Sequence, residues 1–197
     1  MLELDKIREL IANRNGIIAT SQVEDAGISR AILGKLVESG ELQRVTHGIY
    51  CDNNLLEDEL AILQLRTHRM IYSHDTALFL HNMTDRSPLQ WTVTVPSRYN
   101  ASTLKRRNCI VHYVKAELFE LGVEQILSPG GHQVRAYGIE RTVVDMVRNR
   151  NQCDIEILTQ ALRKYVARKD KNISKLMHMA KQFQVERLTR QYMEVLF

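Results

Sequence analysis

Glycine cuts the first fifty residues into short pieces, at Gly16, Gly27, Gly40 and Gly48, and each piece carries its own apolar pattern. Leu4, Ile7, Leu10 and Ile11 recur at helical spacing until Asn15-Gly16 ends the run. Ile17-Ile18-Ala19 is a short apolar bridge. Thr20 or Ser21 stands where a second helix, Gln22 to Ala26, needs a cap, and Gly27 stops it. Ser29 is the expected cap of a third helix with the stripe Ile32, Leu33, Leu36 and Val37, closed by Ser39-Gly40. Leu42 to Val45, the turn Thr46-His47-Gly48, and Ile49-Tyr50 read as a β-hairpin in which Gly48 supplies a positive φ. Ile7, Leu10, Ile18, Val23, Ile28, Leu33, Leu36 and Val37 share one core only if the second and third helices cross steeply, which a glycine turn permits. This order predicts a winged helix-turn-helix. A small helical bundle with an appended hairpin is the plainer alternative.

Asp52 to Asp58 is polar and acidic and reads as a linker, so the expected domains are 1–56 and 57–197. In the second, Leu60 to Arg69 is helical in pattern, and Tyr72 to His81 reads as a strand end followed by a helix capped by Ser73 or Asp75. Strands are expected at Trp91 to Val95, Ile110 to Val114, Val123 to Leu127 and Gln133 to Tyr137. Helices are expected at Glu140 to Arg150, 154–167, 173–183 and 185–196. The fold class is therefore α/β mixed (α+β): a winged helix-turn-helix, then a larger domain with a small β-sheet and a helical C-terminus.

With 44% hydrophobic and 25% charged residues, the balance is that of a globular chain. No apolar run reaches the roughly 18 residues a membrane helix needs, and Met1 to Asp5 is acidic and amphipathic rather than signal-like. Cys51, Cys109 and Cys153 are odd in number and far apart, which suits a reduced, cytoplasmic chain without a disulfide framework. Residues 1–50 hold 6 basic and 7 acidic side chains, and residues 151–197 hold 9 and 5. The net charge of +4 is thus concentrated at the C-terminal end, and the N-terminal domain is electrostatically a weak anchor.

Gly16-Ile17-Ile18-Ala19-Thr20, Gly27-Ile28-Ser29-Arg30, Leu36 to Leu42 and Arg44 to Tyr50 resemble the N-terminal winged helix of the AbiEi antitoxin family. Ser73-His74-Asp75-Thr76-Ala77-Leu78, Thr92 to Pro96 and Gly138 to Asp145 are similar to recurring segments of the same family. The likeness runs from about residue 5 to 150. His47 stands in the wing turn where the family pattern has Arg. The resemblance implies an antitoxin of a type IV toxin–antitoxin pair, linked to abortive infection against phage. It implies a nucleotidyltransferase-like AbiEii toxin as functional partner, countered without stable binding. It also implies repression of the chain's own operon through inverted repeats in the promoter.

A recognition helix in the major groove turns its apolar stripe inward and small or polar residues outward. Here the outward set is Ser29, Arg30, Ala31, Gly34 and Lys35. Arg30 is suited to a guanine edge, Ala31 to a thymine methyl, Lys35 to phosphate, and Ser29 with the helix N-terminus to a further phosphate. Thr20, Ser21 and Gln22 at the start of the second helix, and Arg44, Thr46 and His47 along the wing, complete the expected DNA-facing set of the first domain. Lys105-Arg106-Arg107, on an expected surface loop, and a C-terminal cluster containing Arg163, Lys164 and Arg168 are candidates for additional phosphate contacts. The ordinary alternative for each is a solvated surface. Absent a heptad pattern, one chain per particle is expected in solution and two copies on an inverted repeat.

No Cys-x-x-Cys, His-Glu-x-x-His or phosphate-binding glycine loop occurs, so neither a metal nor a cofactor is expected, and no catalytic residue is assigned. His74 and His81 read as a cap-region and a packed histidine rather than ligands. Glu140, Arg141 and Asp145 read as a polar network tying helix to sheet. Two other classes compete: a metal-dependent nuclease of a phage-defence system, and a module that binds and masks a toxin directly.

Overall fold

The computed structural model describes residues 2–196. They fall into two compact units, residues 2–68 with 126–134, and residues 69–125 with 135–196. The first therefore extends past the expected linker at 52–58 and takes in a segment distant in sequence.

The first unit contains α1 (Leu2–Ala12), β1 (Ile17–Ala19), α2 (Thr20–Asp25), α3 (Ala31–Glu38), β2 (Leu42–Thr46), β3 (Ile49–Asp52) and α4 (Glu59–Arg66). The apolar bridge at 17–19 is a strand: it pairs antiparallel with β3, so the wing is a three-stranded sheet in the order β1-β3-β2 rather than a lone hairpin. Three residues with every side chain buried show no alternation, which is why the segment does not read as a strand from sequence. The core is Ile7, Ile11, Ile18, Val23, Ile28, Ile32, Leu33, Leu36 and Leu42, with Leu4, Leu10 and Tyr50 packed at its margin. Val37, grouped by spacing with the buried stripe, is instead 36% exposed.

The turn between α2 and α3 is closed at Gly27, as expected. Gly27 has φ +70°, the Ile28 amide donates to the Val23 carbonyl (3.1 Å), and the Gly27 amide donates to Glu24 (2.9 Å). These two bonds and the left-handed glycine form a Schellman stop. Gly48 likewise turns the wing at φ +71°.

Asp58 explains why α4 belongs with the first unit. Its side chain caps α4 by accepting from the Leu60 (3.1 Å) and Ala61 (3.2 Å) amides. The same carboxylate also accepts from the Ser128 hydroxyl and holds His132 Nδ1 at 2.8 Å. His132 Nε2 lies 3.1 Å from the Asn15 carbonyl, and Asn15 Nδ2 donates to the Gly131 carbonyl (2.7 Å). One buried carboxylate thus organises a helix start and the turn at 128–132.

The second unit contains β4 (Ile71–Tyr72), α5 (His74–Leu80), β5 (Thr92–Pro96), α6 (Ser102–Arg106), β6 (Ile110–Val114), α7 (Ala116–Phe119), α8 (Ile139–Arg148), α9 (Ile155–Ala167), α10 (Ile173–Gln182) and α11 (Glu186–Leu196). Its five-stranded sheet has the order β6-β5-β4-β8-β7, where β7 is Val123–Leu127 and β8 is Gln133–Tyr137. β4 runs antiparallel to β5 and parallel to β8, and β5 runs parallel to β6. The last helices are core elements: Leu158, Ala161, Leu162, Tyr165, Leu176, Met179, Ala180, Phe183 and Met193 pack with Val143, Val144, Met146 and Val147 of α8. Asp154 and Asn172 cap α9 and α10 through their side chains.

The polar residues of α8 form two networks rather than one. Arg141, 1% exposed, donates to Asp145 (2.9 Å) and to the Leu118 (3.0 Å) and Leu121 (2.7 Å) carbonyls. Its guanidinium lies 3.9 Å from the ring centres of both Tyr137 and Phe183. Glu140 points elsewhere, to Lys175 (3.0 Å) and the Asn172 amide (3.3 Å). Five residues along a helix span about 500°, so the two carboxylates leave in different directions.

No described helix is long and apolar enough to cross a membrane.

Candidate nucleic-acid interface

α3 presents the face its pattern requires. Ile32, Leu33 and Leu36 are buried, whereas Ser29, Arg30, Ala31, Gly34 and Lys35 are exposed. Arg30 leaves 77% of its side chain in solvent and faces Glu24 at 4.0 Å. An exposed pair at that distance is weak and exchanges readily for another anion.

Helix starts differ from expectation. α3 begins at Ala31, with Arg30 in helical conformation at the cap position. The Ser29 hydroxyl still accepts from the Ala31 amide (3.4 Å), one residue earlier in the cap than its spacing suggests. More consequential is the Ser29 amide, which donates to the Glu3 carboxylate (3.2 Å). The position expected to receive a DNA phosphate already faces one of the chain's own anions.

Neither Thr20 nor Ser21 caps α2. Ala19 stands at the cap, and the Gln22 side chain accepts from the Ala19 amide (2.9 Å). Thr20 instead ties α2 to the wing: its amide (2.8 Å) and hydroxyl (3.3 Å) both donate to the Gly48 carbonyl. Ser21 is exposed. On the wing, Arg44 and His47 are exposed and touch each other, Nη2 to Nδ1 at 3.0 Å, and the Thr46 hydroxyl accepts from Arg66. Thr46 is thus engaged within the protein, while Arg44 and His47 form the outer edge.

In the second unit, Lys105, Arg106 and Arg107 are exposed and carry no ion pair among the described residues. They end a short helix, α6, rather than lying on a loop. The C-terminal cluster is largely spent internally. Lys164 pairs with Asp85 (2.6 Å), Arg168 grips Asp170 with two bonds of 2.9 and 2.7 Å, and Lys175 joins Glu124 and Glu140. Arg163 stays exposed. The acidic partners of these lysines and arginines lie up to 79 positions away in sequence, beyond the reach of local charge counting.

One feature escapes sequence reading altogether. His74 and His112 stack with ring centres 3.7 Å apart and planes 17° from parallel. The parallel register that sets Thr94 opposite His112 brings them together, since Thr94 Oγ1 donates to Ser73 Oγ (2.9 Å) beside His74. His81, the other histidine of that segment, caps the end of α5 with Nε2 2.8 Å from the Tyr137 carbonyl.

Comparison with known proteins follows the first unit closely. Residues 5–51 match the family described as "Transcriptional regulator, AbiEi antitoxin". No curated protein matches the sequence. Among solved structures, the RV2827C protein from Mycobacterium tuberculosis aligns at 12% identity with a TM-score of 0.45, over 98% of this chain and 81% of its own. Most of the segment that builds α1 to β3 thus matches the model of the AbiEi antitoxin transcriptional regulators.

Proposed function

We propose that this protein is the antitoxin of a type IV toxin–antitoxin pair and represses its own operon by binding inverted repeats with its winged helix. The face of α3 carries this reading: an exposed Arg30 and Lys35 flank the small residues Ala31 and Gly34, backed by buried Ile32, Leu33 and Leu36. Small residues let the helix backbone approach base edges, and the two cations meet guanine and phosphate. DNA recognition is assigned to residues 1–56, and the countering of a nucleotidyltransferase-like AbiEii toxin, without a stable complex, to residues 57–197. Lys105-Arg106-Arg107 and Arg163 add phosphate contacts to the acidic N-terminal segment. The protein works in the cytoplasm, as a monomer that meets a second copy on DNA, and performs no catalysis.

The test is a titration of the full chain with the DNA upstream of its own gene and with a scrambled duplex, in one buffer. Binding at least about a thousand-fold tighter to the upstream DNA, with two chains per repeat by light scattering, supports the proposal. Equal binding to both duplexes overturns it.

A further inference from the structure

A cavity of about 260 Å³ opens in the second unit beside the stacked histidines, lined among others by His74, His112, Arg141, Arg148, Asn149 and Gln152. His74 is 6% exposed and has a φ of +47°, a conformation a β-carbon disfavours. Such backbone persists where the surroundings over-determine it, a condition met most often at binding sites. Here the Thr94–Ser73 hydrogen bond, the bond of 3.0 Å between His74 Nδ1 and Ser73 Oγ, and the His112 ring fix it together.

Of the four ring nitrogens in the stack, Nδ1 of His74 alone has a hydrogen-bond partner among the described residues. The charge balance around them is one-sided. Asp145 is the single carboxylate on the cavity, and it is bound at 2.9 Å by Arg141. Arg148 reaches the same carboxylate at 3.9 Å and leaves 44% of its side chain exposed. Two guanidiniums therefore share one carboxylate, with free imidazole nitrogens and the Asn149 and Gln152 amides alongside. A cation is repelled by such a lining, and a multiply charged oxyanion is matched by it.

We infer that this cavity binds the phosphate group of a small phosphomonoester, held by Arg148 with His74 and His112. The depth of His74 favours a free ligand over a duplex, whose backbone phosphates remain at the protein surface. The inference is independent of the winged helix and adds a ligand to a unit for which the DNA-binding reading assigns only phosphate-backbone contacts.

Nuclear magnetic resonance on the full chain, with ¹⁵N-labelled histidine, tests it at neutral pH and constant ionic strength. Inorganic phosphate is expected to shift the His74 and His112 ring signals saturably. Arg148→Gln, with a melting curve expected to match the wild type because the side chain is 44% exposed, should weaken this at least about tenfold, and His112→Gln should weaken it independently. Lys6→Gln, at an exposed position of α1, should leave it unchanged. Shifts no larger than those from chloride, an unaltered affinity in R148Q, or an equal loss in K6Q would overturn the site. Displacement of phosphate from these rings by the upstream duplex would overturn its assignment to a free ligand.

Discussion

Single side chains decide how the exposed face of α3 meets an anion. The Glu3 carboxylate sits on the Ser29 amide at 3.2 Å, where the start of a recognition helix would receive a DNA phosphate. Two anions cannot share that amide. Glu3→Gln should therefore tighten binding to the upstream DNA by about two- to fivefold, the value of one charge near a helix terminus, as read by fluorescence anisotropy. At the other end of the chemistry, His74 is held neutral. Burial first, then the charges of His112, Arg141 and Arg148, push its pKa well below the ordinary imidazole value of 6.5. His81 and His112 are displaced the same way, chiefly by burial. The unfolded chain takes up these protons near pH 6.5 and the native chain does not, so stability is full above that pH and is lost below it. His74 contributes a slope of up to about 1.4 kcal/mol per pH unit. The urea midpoint is expected to fall between pH 7 and pH 5.5; a flat profile would show that the ring is charged in the native state.

Elements show which parts of this architecture local sequence can encode. Asp58 both starts α4 and receives Ser128 and His132 from 70 and 74 positions away. Replacing it by alanine removes a helix cap and strands the buried Ser128 and the partly buried His132, so Asp58→Ala should lower stability by about 2–4 kcal/mol in urea denaturation. Amide exchange at Gly131 and His132 should accelerate with it. The cap function of Asp58 is open to sequence reading, but its second role is not, because no periodicity links residues so far apart. The same limit hides the stacking of His74 on His112, created by strand register. Short pieces escape for another reason. β1 has three residues and α7 has four, too few for either period to declare itself. By contrast, α3, the wing hairpin and α8 to α11 follow their apolar spacing, and Gly27 and Gly48 adopt the positive φ that their turns require. Of the candidate site, exposure of Arg30, Ala31 and Lys35 follows from helical spacing. The engagement of Thr46, Lys164 and Arg168 does not, since each partner comes from tertiary structure or a neighbouring turn.

For the whole molecule, charge is distributed unevenly. Residues 1–50 carry one more acidic than basic side chain, so the grip on DNA proposed for them would rest on shape and a few directed contacts. Lys105, Arg106 and Arg107 are exposed and outside any ion pair among the described residues, whereas Lys164, Arg168 and Lys175 of the C-terminal segment are committed to carboxylates of the chain. If the second unit adds phosphate contacts, alanine at all three positions should reduce the slope of log affinity against log salt by about one for each phosphate no longer neutralised, or about three altogether. An unchanged slope would confine DNA binding to the first unit.

The central claim is that α3 is a DNA-reading helix, and its most direct measurement compares the wild-type chain with the Arg30→Ala, Lys35→Ala double variant on the upstream DNA. Both side chains are exposed, so the variant's melting curve should match the wild type. Removing a guanine interaction of about 1–3 kcal/mol together with one phosphate interaction predicts at least a tenfold weaker affinity. Undiminished affinity in a folded variant would contradict the account.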